Sequence, residues 1–192
     1  MKKFTFLAYM LILFLVLPNI RVNGENLDSH NSEIKDLYNE KIEAVAVFNH
    51  SNGSLYVTDK DVYLMSQVVY AESCGESYSG KLAVASVILN RASDGSFPRS
   101  ISGVINQKNA FSCVKNGKVI HNGKSNITPD SASYSAVLDA LKGKDPTNKA
   151  VFFYNPVIST SQWMKNIKKT NVKTIGNHIF FVVKSSSAKL KH

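Results

Sequence analysis

Between Lys60 and Arg91 two helix-period apolar patterns follow one another almost without a break, and nothing else in the chain constrains the fold as strongly. In the first, Val62, Met65 and Val69 recur at spacings of three and four, tracing the stripe that a helix turns toward a core. Thr58 and Asp61, three residues apart, resemble a capping box with Asp in place of the usual Glu. A helix is therefore expected from Lys60 to about Cys74, stopped by Gly75 at the position where a left-handed residue is favoured. Ser77 or Ser79 opens a second helix running to about Arg91, with Leu82, Val84, Val87, Ile88 and Leu89 on its apolar faces.

Asp94-Gly95 and Phe97-Pro98 mark turns. A short third helix is expected over Ser100–Asn106, and a fourth over Asp130–Leu141, after Pro129. The last third changes character. Ala150–Tyr154 and His178–Val183 are short, aromatic and β-branched, and both read as strands. The class is α+β, a helical lobe followed by a small antiparallel sheet. The organised domain spans 58–183. Before it, 25–57 reads as a polar lead-in, with an amphipathic helix over Ile34–Val47 and a short strand over Ser54–Val57. Residues 184–192 read as a frayed basic tail.

The first 24 residues point to export. Lys2 and Lys3 precede an almost wholly apolar run, Phe4 to Pro18, and Val22-Asn23-Gly24 supplies small residues near a cleavage point. That is the layout of a secretory signal peptide; the run of about 15 apolar residues falls short of the ~20 of a spanning helix, the mark of a retained anchor. The charge is uneven. Residues 25–61 carry −5 and residues 62–192 carry +11. An exported domain this basic suits anionic wall polymers, and no aromatic and basic signature for nucleic acid accompanies the charge. Cys74 and Cys113 are the only cysteines. In an exported chain they can close one disulfide, or they stand as two free thiols.

Glu72 is the most informative residue. It is the next step on the stripe of Val62, Met65 and Val69, on the apolar side of the helix and in its last turn. Desolvation and the negative helix terminus both push such a carboxylate toward its protonated form, as a general acid needs. On spacing alone, a Glu that snorkels outward or pairs with a buried Arg such as Arg91 is the favoured reading. Glu76, just beyond Gly75 and ahead of the second helix, sits where N-terminal amides favour the ionised form. Other chemistries fare worse. None of the five histidines forms an HExxH-like pair, Gly-x-Ser-x-Gly is absent, and no phosphate-cradling glycine loop occurs. No metal or cofactor is therefore expected. A Cys/His pair of Cys113 with His121 or His178 stays open, without a local motif behind it.

Ala71-Glu-Ser-Cys-Gly-Glu76 followed by Gly80-Lys-Leu-Ala-Val-Ala-Ser-Val-Ile-Leu-Asn-Arg91 resembles the central motif of the spore cortex-lytic, SleB/CwlJ-type cell wall hydrolases. The resemblance continues through Phe97-Pro98, Gly103-Val104-Ile105, Ala110-Phe111-Ser112, Asp145-Pro146-Thr147, Phe153-Tyr154-Asn155-Pro156, Trp163 and Ile175-Gly-Asn-His-Ile-Phe180. It implies a lysozyme-like or lytic-transglycosylase-like fold acting on peptidoglycan glycan strands, with Glu72 as the catalytic acid. Glu76, Arg91, Phe111, Tyr154, Asn155, Trp163 and His178 are carried along as supporting or substrate-binding residues. The separate peptidoglycan-binding repeat of some members is not found ahead of this domain. Glycan affinity is then expected from the basic domain itself or from an accessory protein, and the setting is the cell wall or spore envelope.

The implied chemistry is cleavage between N-acetylmuramic acid and N-acetylglucosamine by a single Glu acid/base, as in a lytic transglycosylase. A hydrolytic muramidase would need a second acid such as Glu76. The other readings are an N-acetylmuramoyl-L-alanine amidase, which would ordinarily use zinc, and a wall-binding protein without catalysis.

Overall fold

The computed structural model describes residues 44–50 and 53–183 of the 192-residue chain. The expected signal peptide and basic tail lie outside these residues, as does most of the helix expected over Ile34–Val47. The part of that segment that is described is strand. Strand β1, Ala44–His50, pairs antiparallel with β2, Gly53–Thr58. The lead-in does not stay apart from the domain either: Leu55 is 6% and Val57 0% exposed, both within the main core. The alternation Leu55, Val57 is the strand period, and it decides the register of β2 against the helices.

Helix α1, Asp59–Glu72, begins where the sequence places it. Thr58 Oγ1 accepts from the Asp61 amide at 3.1 Å and Asp61 Oδ2 accepts from the Thr58 amide at 3.1 Å, so two otherwise orphaned donors are satisfied reciprocally. Val62, Met65 and Val69 are all fully buried. Gly75, at φ +82°, turns the chain out of the helix. Helix α2, Tyr78–Ser93, then crosses the centre of the molecule, buried along most of its length, against α1, α3 (Ile101–Asn106) and α4 (Ser131–Leu141). Ser100 and Asp130 cap α3 and α4 with side-chain oxygens, accepting from Gly103 and Ser133.

Four further elements were not read from the sequence. A small hairpin, β3 (Val114–Lys115) and β4 (Lys118–Val119), turns at Asn116-Gly117, both at positive φ as a two-residue turn of primed type demands. A one-turn helix α5, Gln162–Asn166, and strand β6, Lys169–Ile175, follow β5, Phe152–Tyr154. With β7, His178–Val183, strands β5 and β6 complete an antiparallel sheet of order β5-β7-β6. The α+β class holds.

The sheet has two apolar faces because successive side chains alternate. Phe153 and Phe180 stack at 5.5 Å on the side of the helical core, whereas Phe152 and Phe181 stack at 5.5 Å on the other. Trp163 of α5 closes that second side, edge-on to Phe152 at 5.3 Å.

Candidate active site

The register of α1 fixes the key carboxylate. Four fully buried positions (Val62, Met65, Val68 and Val69) hold the helix face against the core, and Glu72 follows on the same face as its last residue, half-buried. Its Oε1 accepts two hydrogen bonds from the loop ahead of β3, from Ser112 Oγ at 3.0 Å and from the Cys113 amide at 2.9 Å. Both donors choose the same oxygen. A protonated Glu72 therefore carries its proton on Oε2, the oxygen left for a bound molecule.

Glu72 lies in a cleft of about 580 Å³ between the helical lobe and the sheet, within the roughly 300–1,000 Å³ of small-ligand pockets. One wall is Glu72 with residues 109–112 and the start of the β3–β4 hairpin, including Lys115. The other is Phe153, Tyr154, Asn155, His178 and the loop Ile158–Ser161. Glu72 is the only carboxylate among these lining residues. Phe111, Tyr154, Asn155 and His178 line the same cleft as Glu72.

Arg91 and Trp163 do not line the cleft. Arg91, 3% exposed, makes no ion pair with Glu72. It donates from Nε to the Val151 carbonyl at 2.7 Å and from Nη1 to the Ala110 carbonyl at 3.3 Å. Its guanidinium lies 4.9 Å from the centre of the Phe111 ring and 5.6 and 5.8 Å from those of Phe97 and Phe152. Burial lowers its pKa to about 10, with the negative charge of Glu72 pulling the other way. Arg91 thus does not neutralise Glu72 by pairing with it. Instead it ties the loop that holds Glu72 to the residue leading into β5, the strand of the opposite wall.

Glu76 is turned away from the cleft. Its side chain is 6% exposed, and its carboxylate accepts from Asn177 Nδ2 at 2.9 Å and from the Asn177 amide at 3.3–3.4 Å, with His178 Nδ1 3.4 Å away. Both cysteines are free, Cys74 exposed and Cys113 buried, so the disulfide left open by the sequence is not formed. Burial, reinforced by the adjacent Glu72 carboxylate, pushes the Cys113 thiol well above its usual value, which opposes its use as a thiolate nucleophile. Among the described residues no three His, Cys, Asp or Glu side chains converge as metal ligands would. Ser112 and Asn177 received no role from the sequence, although both fall within its motif blocks. Only folding brings them to Glu72 and Glu76 from 40 and 101 residues away.

Comparison with known proteins identifies the family. The family pattern described as Cell Wall Hydrolase matches residues 75–181, beginning just beyond Glu72. Spore cortex-lytic enzymes of Bacillus cereus and Halalkalibacterium halodurans are 43% and 44% identical over 123 residues, 64% of this chain. The matched segment spans 44% and 35% of those relatives' own lengths, so this chain corresponds to less than half of each. The crystal structure of the catalytic domain of the Bacillus cereus SleB protein superposes with a TM-score of 0.59 at 40% identity, covering 70% of this chain and 98% of that domain. The catalytic domain of a germination-specific lytic transglycosylase, SleB from Bacillus anthracis, gives 0.57 at 42% identity, covering 65% and 96%. With its pattern, its relatives and its fold in agreement, the chain belongs to the cell wall hydrolase family.

Proposed function

We propose that the chain degrades peptidoglycan outside the cell membrane, in the cell wall or spore cortex, by cutting the bond between N-acetylmuramic acid and N-acetylglucosamine as a lytic transglycosylase. The observation that carries this reading is a cleft lined by a single carboxylate, Glu72, held through one oxygen only. Hydrolysis by either stereochemical route ordinarily uses two carboxylates flanking the bond. One suffices when the substrate supplies its own nucleophile.

In the first step Oε2 of protonated Glu72 gives its proton to the glycosidic oxygen, and the bond from that oxygen to muramoyl C1 breaks. The N-acetylglucosamine side leaves as an alcohol. In the second step the muramoyl C6 oxygen bonds to C1, and its proton passes to the Glu72 carboxylate, restoring the acid. No water is consumed. Ser112 Oγ and the Cys113 amide stay on Oε1 throughout, stabilising the charge that Glu72 carries between the steps. Asn155 and Tyr154 offer an amide and a ring to N-acetyl sugars, and Lys115 and the other basic residues attract the anionic wall.

Digestion of purified peptidoglycan followed by mass spectrometry tests the proposal. Anhydromuropeptides are expected. Reducing muramic acid ends would replace it with a muramidase, and free stem peptides with an amidase. Glu72→Gln should cut the rate by about a hundred- to ten-thousandfold while the protein stays folded.

A further inference from the structure

The Glu76 carboxylate reaches out of the α1–α2 turn, four residues after Glu72, and closes on the β6–β7 turn of the sheet. This is a long-range contact between the two walls of the cleft. Gly176 makes it possible. At φ +58° it takes the first central position of the hairpin turn, and a Cβ there would stand 1.9 Å from Glu76 Oε2. The turn therefore lies directly against the carboxylate, within reach of the Asn177 amide, Asn177 Nδ2 and His178 Nδ1. His178, the last of these, lines the cleft; its ring stands edge-on to Phe153 at 5.5 Å. With Nδ1 directed at Glu76, Nε2 is the ring nitrogen that remains for another partner.

We infer that Glu76 is a positioning residue: it clasps the Gly176-Asn177 turn and sets His178 Nε2 as a hydrogen-bonding contact for the bound sugar opposite Glu72. The clasp is a tether between the walls separate from Arg91, and it comes from the same turn that ends the helix bearing Glu72. A shift of either wall changes the distance between Glu72 and the sugar held by His178. Such misplacement lowers the rate of a positioned reaction more than it weakens ground-state binding.

The inference rests on the glycan-cleavage reading given above, and the test separates the two. Glu76→Ala, Glu76→Gln and Asn177→Ala are compared with the wild type in peptidoglycan digestion, with near-ultraviolet circular dichroism reporting the folded fraction. Gln keeps one oxygen, in the place of Glu76 Oε1, to accept from the Asn177 donors and from His178 Nδ1; Asn177 is exposed and its replacement spares the core. Per folded molecule, Glu76→Ala should lose about ten- to a hundredfold in kcat with KM within about threefold, Asn177→Ala should lose less, and Glu76→Gln should recover most of the rate. A Glu76→Ala rate that falls only with the folded fraction, or a Gln variant as impaired as Ala, overturns the clasp. If the wild type cuts no glycan, the proposed function fails, and the clasp is judged by binding of a stem-free tetrasaccharide of N-acetylglucosamine and N-acetylmuramic acid. A dissociation constant about tenfold weaker in folded Glu76→Ala supports it, and an unchanged one overturns it.

Discussion

Replacing Arg91 by methionine separates what this residue does for the fold from what it does for the cleft. The guanidinium is buried, and its pKa has been drawn down to about 10, so keeping it charged there costs on the order of 3 kcal/mol. Against that stand two hydrogen bonds to carbonyls, at 2.7 and 3.3 Å, which as bonds from a charged donor contribute about 1.5–3 kcal/mol each. Methionine removes both the cost and the bonds while filling much of the space among Phe97, Phe111 and Phe152. The net loss of stability should therefore stay below about 3 kcal/mol. Arg91→Ala, which also opens a cavity, should lose about 3–5 kcal/mol. Yet both variants free the Ala110 carbonyl, two residues ahead of Ser112, and release the donors that hold Glu72 Oε1. Urea unfolding gives the stabilities, and release of muropeptides gives the rate. Folded Arg91→Met should cleave about tenfold more slowly. A Met variant as stable as expected but cleaving at the wild-type rate would show that Arg91 does not hold the Glu72 loop.

Three further outcomes follow from the described contacts. A maleimide added to the native protein should modify Cys74 alone and reach Cys113 only after unfolding; rapid double labelling of the native form would contradict the buried thiol beside Glu72. Val57→Ala should cost roughly 2–3 kcal/mol in unfolding experiments, because β2 belongs to the core; a neutral effect would return this strand to a loose lead-in. Burial alone would raise the Asp145 pKa, but hydrogen bonds from Thr147, Asn90 and Lys149 outweigh it and leave the group below its usual 3.8. Its contribution to stability is therefore full above about pH 4 and is lost as pH falls through the lowered value. Asp145→Asn should flatten that part of the acid limb, and an unchanged limb would assign it to other carboxylates.

The parts of this molecule legible in the sequence are those governed by local chemistry. The Thr58–Asp61 box, Gly75 and the apolar stripe located α1 because caps and periodicity act within a few residues. The same stripe placed Glu72 on the core side. What escaped was set by distant partners. Strand β6, Lys-Thr-Asn-Val-Lys-Thr-Ile, has little apolar alternation, since it is an edge strand exposed along much of its length and held by backbone pairing to β7. Ala44–Val47 suits the end of an amphipathic helix as well as a strand, and only pairing with β2 decides it. Arg91 pointed to Glu72 by charge alone, whereas packing sends it to two carbonyls. Ser112 looks like any loop serine until the fold sets it beside α1.

The hydrogen-bonded cap at Thr58 and the carboxylate of Glu72 mark opposite ends of one unbroken helix of 14 residues. The helix behaves as a ruler whose zero is fixed. Inserting or deleting one residue between its ends would swing Glu72 by about 100° around the axis and move it about 1.5 Å along it. Within this segment evolution is free to vary the letters on the solvent side but not their number. The Asn155–Ser161 wall of the cleft, with Val157 88% and Ile158 75% exposed, is shaped by short-range bonds instead: Asn155 accepts from the Val157 and Ser159 amides, and Ser161 caps α5. A residue inserted at its exposed tip would reshape that wall and leave Glu72 where the helix puts it.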